Sequence, residues 1–234
     1  ARAVRALSIG SCLAALGAAL TVAWRFEPSA GRLQLAERTA WIPPLGAEYH
    51  LAVDGFSIGF VLLTAVLVPL VVLGLDPQLR RERGLVALIL ALQGMLFGVF
   101  LAQNFFLWFL CYELTLIPAY LLIRLWGGPG RAPASLQFFL TTQLGGLAIL
   151  IGFLAVHHVT GTFDLPTLAR LGSTGRLGLD GFAGLPDAAP LIFGLLVFGF
   201  AVKLPLLPVH TWLPPAYAEA PAPVTMLLTG LLSK

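Results

Sequence analysis

Long apolar runs, separated by short stretches that hold nearly all the charge, make up most of this chain. Six runs, at about 4–24, 56–75, 84–102, 105–126, 136–157 and 189–212, come close to the roughly 20 residues a helix needs to cross a hydrocarbon core of about 30 Å. A seventh starts near 222 and is still running at 234. The runs are too long, and alternate too poorly, for barrel strands, and backbone groups cannot go unpaired in lipid. The pattern therefore predicts an all-α fold, a polytopic transmembrane helix bundle forming a single membrane domain over 1–234. The intervening stretches at about 25–55 and 158–188 are expected to be loops, with Phe163–Leu171 either a short helix along the membrane surface or plain loop.

The first run is preceded by Arg2 and Arg5 and followed by Arg25, which is reminiscent of a signal peptide. It is longer than a signal's apolar core and no small-residue cleavage site follows, so it reads as a spanning helix. With no initiator methionine and a last run unfinished at Lys234, the sequence is expected to be a fragment of a longer protein.

Arginines orient the bundle. The N-terminal side carries Arg2 and Arg5, then Arg80, Arg81 and Arg83 in a short loop, then Arg124 and Arg131. The opposite side carries Arg25, Arg32, Arg38, Arg170 and Arg176, mixed with acids in the long loops. Short loops weigh most in the positive-inside rule, so the N-terminal side is expected to be cytoplasmic, or stromal in a plastid. Trp24, Trp41, Trp126 and Trp212 fall near run ends, where interfacial aromatic belts lie.

Composition excludes other classes. Hydrophobic residues make up 58% and charged residues only 11%, against about 25% charged in soluble domains, and mean hydropathy is +0.90. The net charge of +3 is small and no basic stripe forms, so the partner is the lipid bilayer and no nucleic acid is expected. Cys12 and Cys111 both lie in apolar runs without a CxxC, which fits small hydrophobes rather than a disulfide or iron–sulfur framework. No Walker loop, dinucleotide fingerprint, zinc motif or nucleophile elbow is present. Neither a metal site nor a cofactor-binding site is predicted for this chain.

What chemistry the chain carries must therefore sit on its few buried charges. From Gly84 to Ile123 the only charged side chain is Glu113, and between Asp187 and Glu219 the only one is Lys203. Both of the chain's lysines, Lys203 and Lys234, lie in apolar runs, whereas its arginines lie in loops or near run ends. Ionisable groups at membrane depth are costly and mark ion pathways. Pro205 and Pro208 follow Lys203 directly and should break that helix, which would expose backbone carbonyls and admit water. Pro118, one turn beyond Glu113, can bend its own helix. His210 lies seven residues past Lys203, near one helical face if the helix were unbroken, and an imidazole suits a proton relay as well as a structural role. Glu219, in a proline-rich turn, reads as a solvated loop charge. Thr141, Thr142 and Gln143 could line a wet path, Gly145-Gly146 favours close helix approach, and Asp54-Gly55 looks like a capped helix start.

Three longer stretches carry a resemblance. CYELTLIPAYLLIRLWGG from Cys111, FAVKLPLLPVHTWLP from Phe200 and EAPAPVTMLLTGLLSK from Glu219 resemble the antiporter-like proton-pumping subunits of respiratory complex I; VDGFSIGFVLLT from Val53 points to their chain 4 branch, and the PVHTWLP and APVTMLLTGLL stretches resemble its cyanobacterial and plastid type. The resemblance runs from about Tyr49 to the end. It implies an antiporter-like fold with two inverted helix repeats, of which this chain would hold the first. It implies proton translocation coupled to quinone reduction, with NAD(P)H or ferredoxin, iron–sulfur clusters and quinone bound in other subunits, and other membrane subunits as partners. The bacterial plasma or thylakoid membrane is the implied location. The family's glutamate, broken-helix lysine, central lysine and bridging histidine match Glu113, Lys203, Lys234 and His210. Where the family carries an Asp and a His after HTWLP, this chain has Pro215 and Tyr217, and Gln137 stands at a position where lysine is common. Subunits of multisubunit cation/proton antiporters and of membrane-bound hydrogenases share the same glutamate and lysine pattern and are the alternative. A passive membrane anchor would have no use for three charges at depth.

Overall fold

The computed structural model describes residues 2–31, 33–76, 83–179 and 188–232. Helix α1 (Arg2–Arg25) leads into a β-hairpin, β1 (Gln34–Ile42) and β2 (Ala47–Val53), and then come α2 (Ser57–Gly74), α3 (Arg83–Leu101), α4 (Phe105–Trp126) and α5 (Arg131–Thr160). A short α6 (Leu165–Ser173), α7 (Ala189–Lys203), α8 (Leu213–Glu219) and α9 (Ala222–Leu227) follow, the last continuing as a π-helical turn over Leu228–Leu232. Among the described residues, five helices are long and apolar enough to cross a membrane: α1 to α5. Large apolar side chains such as Leu70, Leu140, Leu144, Leu147 and Phe193 point outward, as lipid-facing surfaces require. The inner faces of α2, α3 and α4 pack around Leu85, Ile89, Leu92, Leu116 and Leu122, and the returning α8 and α9 seal this core with Ala216, Val224 and Leu227.

The stretch expected to be a loop at 25–55 contains the antiparallel hairpin instead. Gly46, at φ 64°, turns the chain between its strands, a conformation that suits glycine. A lone hairpin is marginal in water. This one is stitched to the helix ends: the Gln103 N–H donates to the His50 carbonyl (2.8 Å), the Leu165 N–H to the Gln103 carbonyl (2.9 Å), and the Phe105 N–H to the Phe163 carbonyl (2.8 Å). The result is a platform across one end of the bundle. Of the two readings of 163–171, the helix forms, because Asp164 caps it by accepting the Thr167 N–H (3.0 Å) and hydroxyl (2.6 Å). Asp54 starts α2 as expected, accepting the Ser57 N–H at 2.7 Å.

The run at 189–212 is not one helix. α7 stops at Lys203, and the reason lies in backbone hydrogen bonding. Pro205 has no N–H to give the Ala201 carbonyl, and the Leu206 N–H takes that place at 2.9 Å. The Val202 carbonyl is then free, and the Trp212 indole N–H donates to it at 2.9 Å. Trp212 is therefore no interfacial belt residue: it is 3% exposed and lies against Phe138. Gln137 on α5 steadies the same segment by donating to the Thr211 carbonyl (3.2 Å).

Trp212→Phe keeps the ring but strands the Val202 carbonyl, and should cost about 1–3 kcal/mol, read as a lowered unfolding midpoint of the full-length protein in detergent. At Asp164, burial alone would push the carboxyl up, but the Thr167 hydroxyl and N–H, the His50 ring and the Arg38 charge outweigh it and hold the group below the ordinary carboxylate value. A depressed carboxylate contributes stability above its unfolded value of about 3.9 and loses it as pH falls through the folded one. Hydrogen exchange at Phe105 and Leu165 should stay slow from neutral pH into that range and quicken below it, whereas Asp164→Asn should exchange faster already at neutral pH.

Candidate functional site

α4 and α7 flank α5 and touch through Trp108 and Phe200, and they bring Glu113 and Lys203 together beside α5. The Lys203 Nζ donates to Glu113 Oε1 at 2.8 Å, with the two side chains 5% and 17% exposed. Glycine makes this possible. A Cβ at Gly146 would overlap the Glu113 carboxylate, and one at Gly145 would stand 2.8 Å from the Val202 side chain, next to Lys203. At Gly199 a Cβ would meet the Gly145 carbonyl at 2.6 Å, so α5 and α7 pack nearly backbone to backbone. The site is thus a notch in α5 into which α4 projects an acid and α7 an amine.

Tyr112 completes the surroundings of the amine. Its ring lies under Lys203 Nζ, 4.4 Å from the centroid, and stacks on Trp108 at 5.3 Å. The ring face favours the ammonium over the neutral amine, as cation–π contacts do. The arrangement can hold one proton on a nitrogen, stabilise it with a carboxylate and an aromatic face, and release it when the carboxylate withdraws.

The other expected residues are placed differently. Pro205 and Pro208 lie in the irregular segment after Lys203, with a cis bond at Leu207–Pro208. His210 lies in the same segment, so it shares no helical face with Lys203, because the helix that would have carried both ends at the lysine. Its Nδ1 is buried and has no hydrogen-bond partner among the described residues. Lys234 lies outside the described residues. Thr142 is buried, but its hydroxyl is spent on the Phe138 carbonyl (2.7 Å). Glu219 is not a freely solvated charge: it is half-buried, and its carboxylate accepts the Gly130 N–H at 2.8 Å.

Glu48, His50 and Asp164 in the platform place ligand-type atoms within 4.8 Å of one another. The Arg38 guanidinium already stands there, 2.6 Å from Glu48 and 3.8 Å from Asp164, and His50 bonds Asp164 at 3.0 Å. Positive charge is therefore supplied by arginine, and the group reads as an ion-pair network that ties hairpin to helix. Tyr112 carries no signal of its own in a chain with this many aromatics, and the position of Trp212 near a run end points to an interface rather than to the Val202 carbonyl. Gly146 stands out in the sequence, but what it faces does not. A lone glycine pair in one apolar run and a lone acid in the run before it was the available clue.

The family described as "NADH:quinone oxidoreductase/Mrp antiporter, TM" matches residues 102–234. The chain is 39% identical over 212 residues to NAD(P)H-quinone oxidoreductase chain 4 1 of Synechococcus sp. (strain JA-3-3Ab), covering 90% of this chain and 38% of that protein. It is 38% identical over 233 residues to chain 4 2 of Thermosynechococcus vestitus, covering 99% of this chain and 42% of the relative. The chain thus spans less than half the length of these curated relatives. Among solved structures, it is similar to a chain of respiratory complex I from Thermus thermophilus with bound NADH (TM-score 0.76, 29% identity, 94% of this chain and 45% of that one). It shares the fold of a chain in the Mrp complex from Dietzia sp. DQ12-45-1b (TM-score 0.75, 23% identity, 97% of this chain and 24% of that one). This multi-pass integral membrane protein belongs to the NADH:quinone oxidoreductase/Mrp antiporter family.

Proposed function

We propose that the chain is part of a membrane subunit of a complex I-like NAD(P)H or ferredoxin:quinone oxidoreductase, and that Glu113 and Lys203 load and release protons moved at the expense of quinone reduction. The observation that carries this reading is the 2.8 Å acid–amine contact in a chain whose apolar runs hold almost no other charge. Redox groups (iron–sulfur clusters, the NAD(P)H or ferredoxin donor and quinone) belong to other subunits, and the other membrane subunits of the assembly are the partners. The bacterial plasma or thylakoid membrane fits the cyanobacterial relatives.

The energy scale is suitable. Opposite unit charges about 4 Å apart attract by about 4 kcal/mol at an effective dielectric near 20. Carrying one charge against 100 mV takes about 2.3 kcal/mol. Drawing Glu113 away from Lys203 therefore changes the amine's hold on its proton by an amount comparable with the work of one transfer. From Lys203 the proton would pass by way of water and His210 toward Lys234, whose own role follows from its match to the family's central lysine.

A second reading, a subunit of a cation/proton antiporter or of a membrane-bound oxidoreductase of another kind, is supported by the shared fold with the Mrp complex and by a 25% identical chain of the archaeal membrane-bound sulfane sulfur reductase (TM-score 0.77, covering 96% of this chain and 45% of that one). The higher identity to the quinone oxidoreductase chains favours the first reading.

Substitutions in the full-length protein within its complex test the role. Glu113→Gln and Lys203→Ala should each lower quinone-coupled proton uptake by roughly tenfold or more, since breaking a buried pair strands a charge at about 3–5 kcal/mol. Near-normal pumping in both would end the proposal. Lys203→Arg is sharper: a guanidinium keeps the positive charge but does not deprotonate. The complex should assemble with this variant and still fail to pump; proton uptake at the wild-type rate would make Lys203 a structural charge only.

A further inference from the structure

Glu219 holds a position that neither its expected role as a solvated charge nor the proton path explains. It ends α8, sixteen residues after Lys203, and meets the loop that joins α4, the helix of Glu113, to α5. The Gly128 N–H donates to its backbone carbonyl (2.8 Å) and the Gly130 N–H to its carboxylate (2.8 Å). Three glycines enclose it. A Cβ at Gly128 would stand 2.7 Å from Oε2, one at Gly130 2.7 Å from Oε1, and one at Gly127 2.8 Å from the Glu219 carbonyl. Arg131 steadies the far side of this loop by donating to the Gly127 carbonyl (3.0 Å). Among the described residues no cation pairs with Glu219, so backbone N–H groups at the start of the long α5 answer its charge.

Resting on the proton-transfer reading of the Glu113–Lys203 pair, we propose that Glu219 is a positioning residue for that pair. Gripped by the glycine loop, it fixes the segment that follows Lys203 against the end of the acid-bearing helix and so sets how far amine and acid can part. The segment between is suited to transmit position. It contains Pro205, Pro208, Pro214 and Pro215, whose rings restrict the backbone. At its near end Trp212 is bonded to the Val202 carbonyl, one residue from Lys203, and at its far end Glu219 is bonded to the loop. Buried Ala216 and Ala220 pack the last turn into the core. A shift of the 127–130 loop is thereby felt at Lys203.

Two conservative variants separate this role from that of a surface charge. Glu219→Gln keeps the length and an acceptor oxygen for the Gly130 N–H but loses the charge. Glu219→Asp keeps the charge but is one methylene too short to reach. The measurement is the ratio of protons translocated to quinone reduced, per assembled complex of the full-length protein, which a loss of folded material alone does not change. The Gln variant should keep a ratio near wild type, and the Asp variant should drop by about twofold or more while quinone reduction continues. Any other order overturns the inference: Asp at the wild-type ratio, Gln the more impaired, or both altered equally. Lys203→Ala measured alongside distinguishes the two failures. If it too leaves the ratio intact, the proton-transfer reading falls and takes this one with it; if it abolishes pumping while Glu219→Asp does not reduce it, only the positioning role falls.

Discussion

Lys203 and Glu113 lie 2.8 Å apart with little access to solvent, where an unpaired charge is costly. Removing an ion from water costs several kcal/mol even after relaxation, and only a partner at hydrogen-bond distance offsets that cost. The surrounding construction serves this one contact. Glycine at 146 clears the space for the carboxylate, glycines at 145 and 199 bring α7 close enough to α5 for the amine to reach past it, and Tyr112 lies under the ammonium. Larger residues at those glycines would be compatible with either helix taken alone and would still separate the charges.

The helix break after Lys203 belongs to the same arrangement. A break inside the membrane exposes backbone groups that lipid cannot satisfy, so it persists only where the protein re-pairs them. Here the Leu206 N–H shifts to the Ala201 carbonyl and the Trp212 indole N–H makes up the one donor lost at Pro205. The lysine gains a terminal position from this. A residue at the last turn of a helix, followed by irregular backbone, can move relative to its neighbours at lower cost than one held by helical hydrogen bonds on both sides.

The places where sequence and structure agree and differ share a physical cause. Helices long enough to cross a bilayer announce themselves by apolar length, and lone charges within them are conspicuous against that background, which is why Glu113, Lys203 and the break at Pro205 could be read from the chain. Signals that depend on a partner far away in sequence could not. The hairpin has little apolar periodicity of its own and is held by Gln103 and the helix ends, so it looked like loop. Trp212 lies near a run end, as an interfacial tryptophan does, and only the carbonyl freed at Val202 explains its burial. Glu219 sits among prolines, and nothing local reveals that Gly128 and Gly130 turn their N–H groups toward it. Helical spacing aligns His210 with Lys203 only if the helix continues, and α7 ends at the lysine.

An acid–amine pair is also asymmetric in what it does once a proton leaves. With both groups charged, the pair is neutral overall and tolerable in a low-dielectric setting. When Lys203 gives up its proton, a lone carboxylate remains at Glu113, and the cost of that buried charge favours the amine's reloading or the carboxylate's move to another partner. The amine is therefore suited to carry the proton and the acid to reset it. The Tyr112 ring strengthens the same bias, since a ring face attracts an ammonium far more than a neutral amine. Too strong a pair would hold its proton permanently; too weak a pair would not load. Glycine packing allows the close contact and the break after Lys203 leaves the amine at a helix end; the proposed transfer depends on the balance between the two.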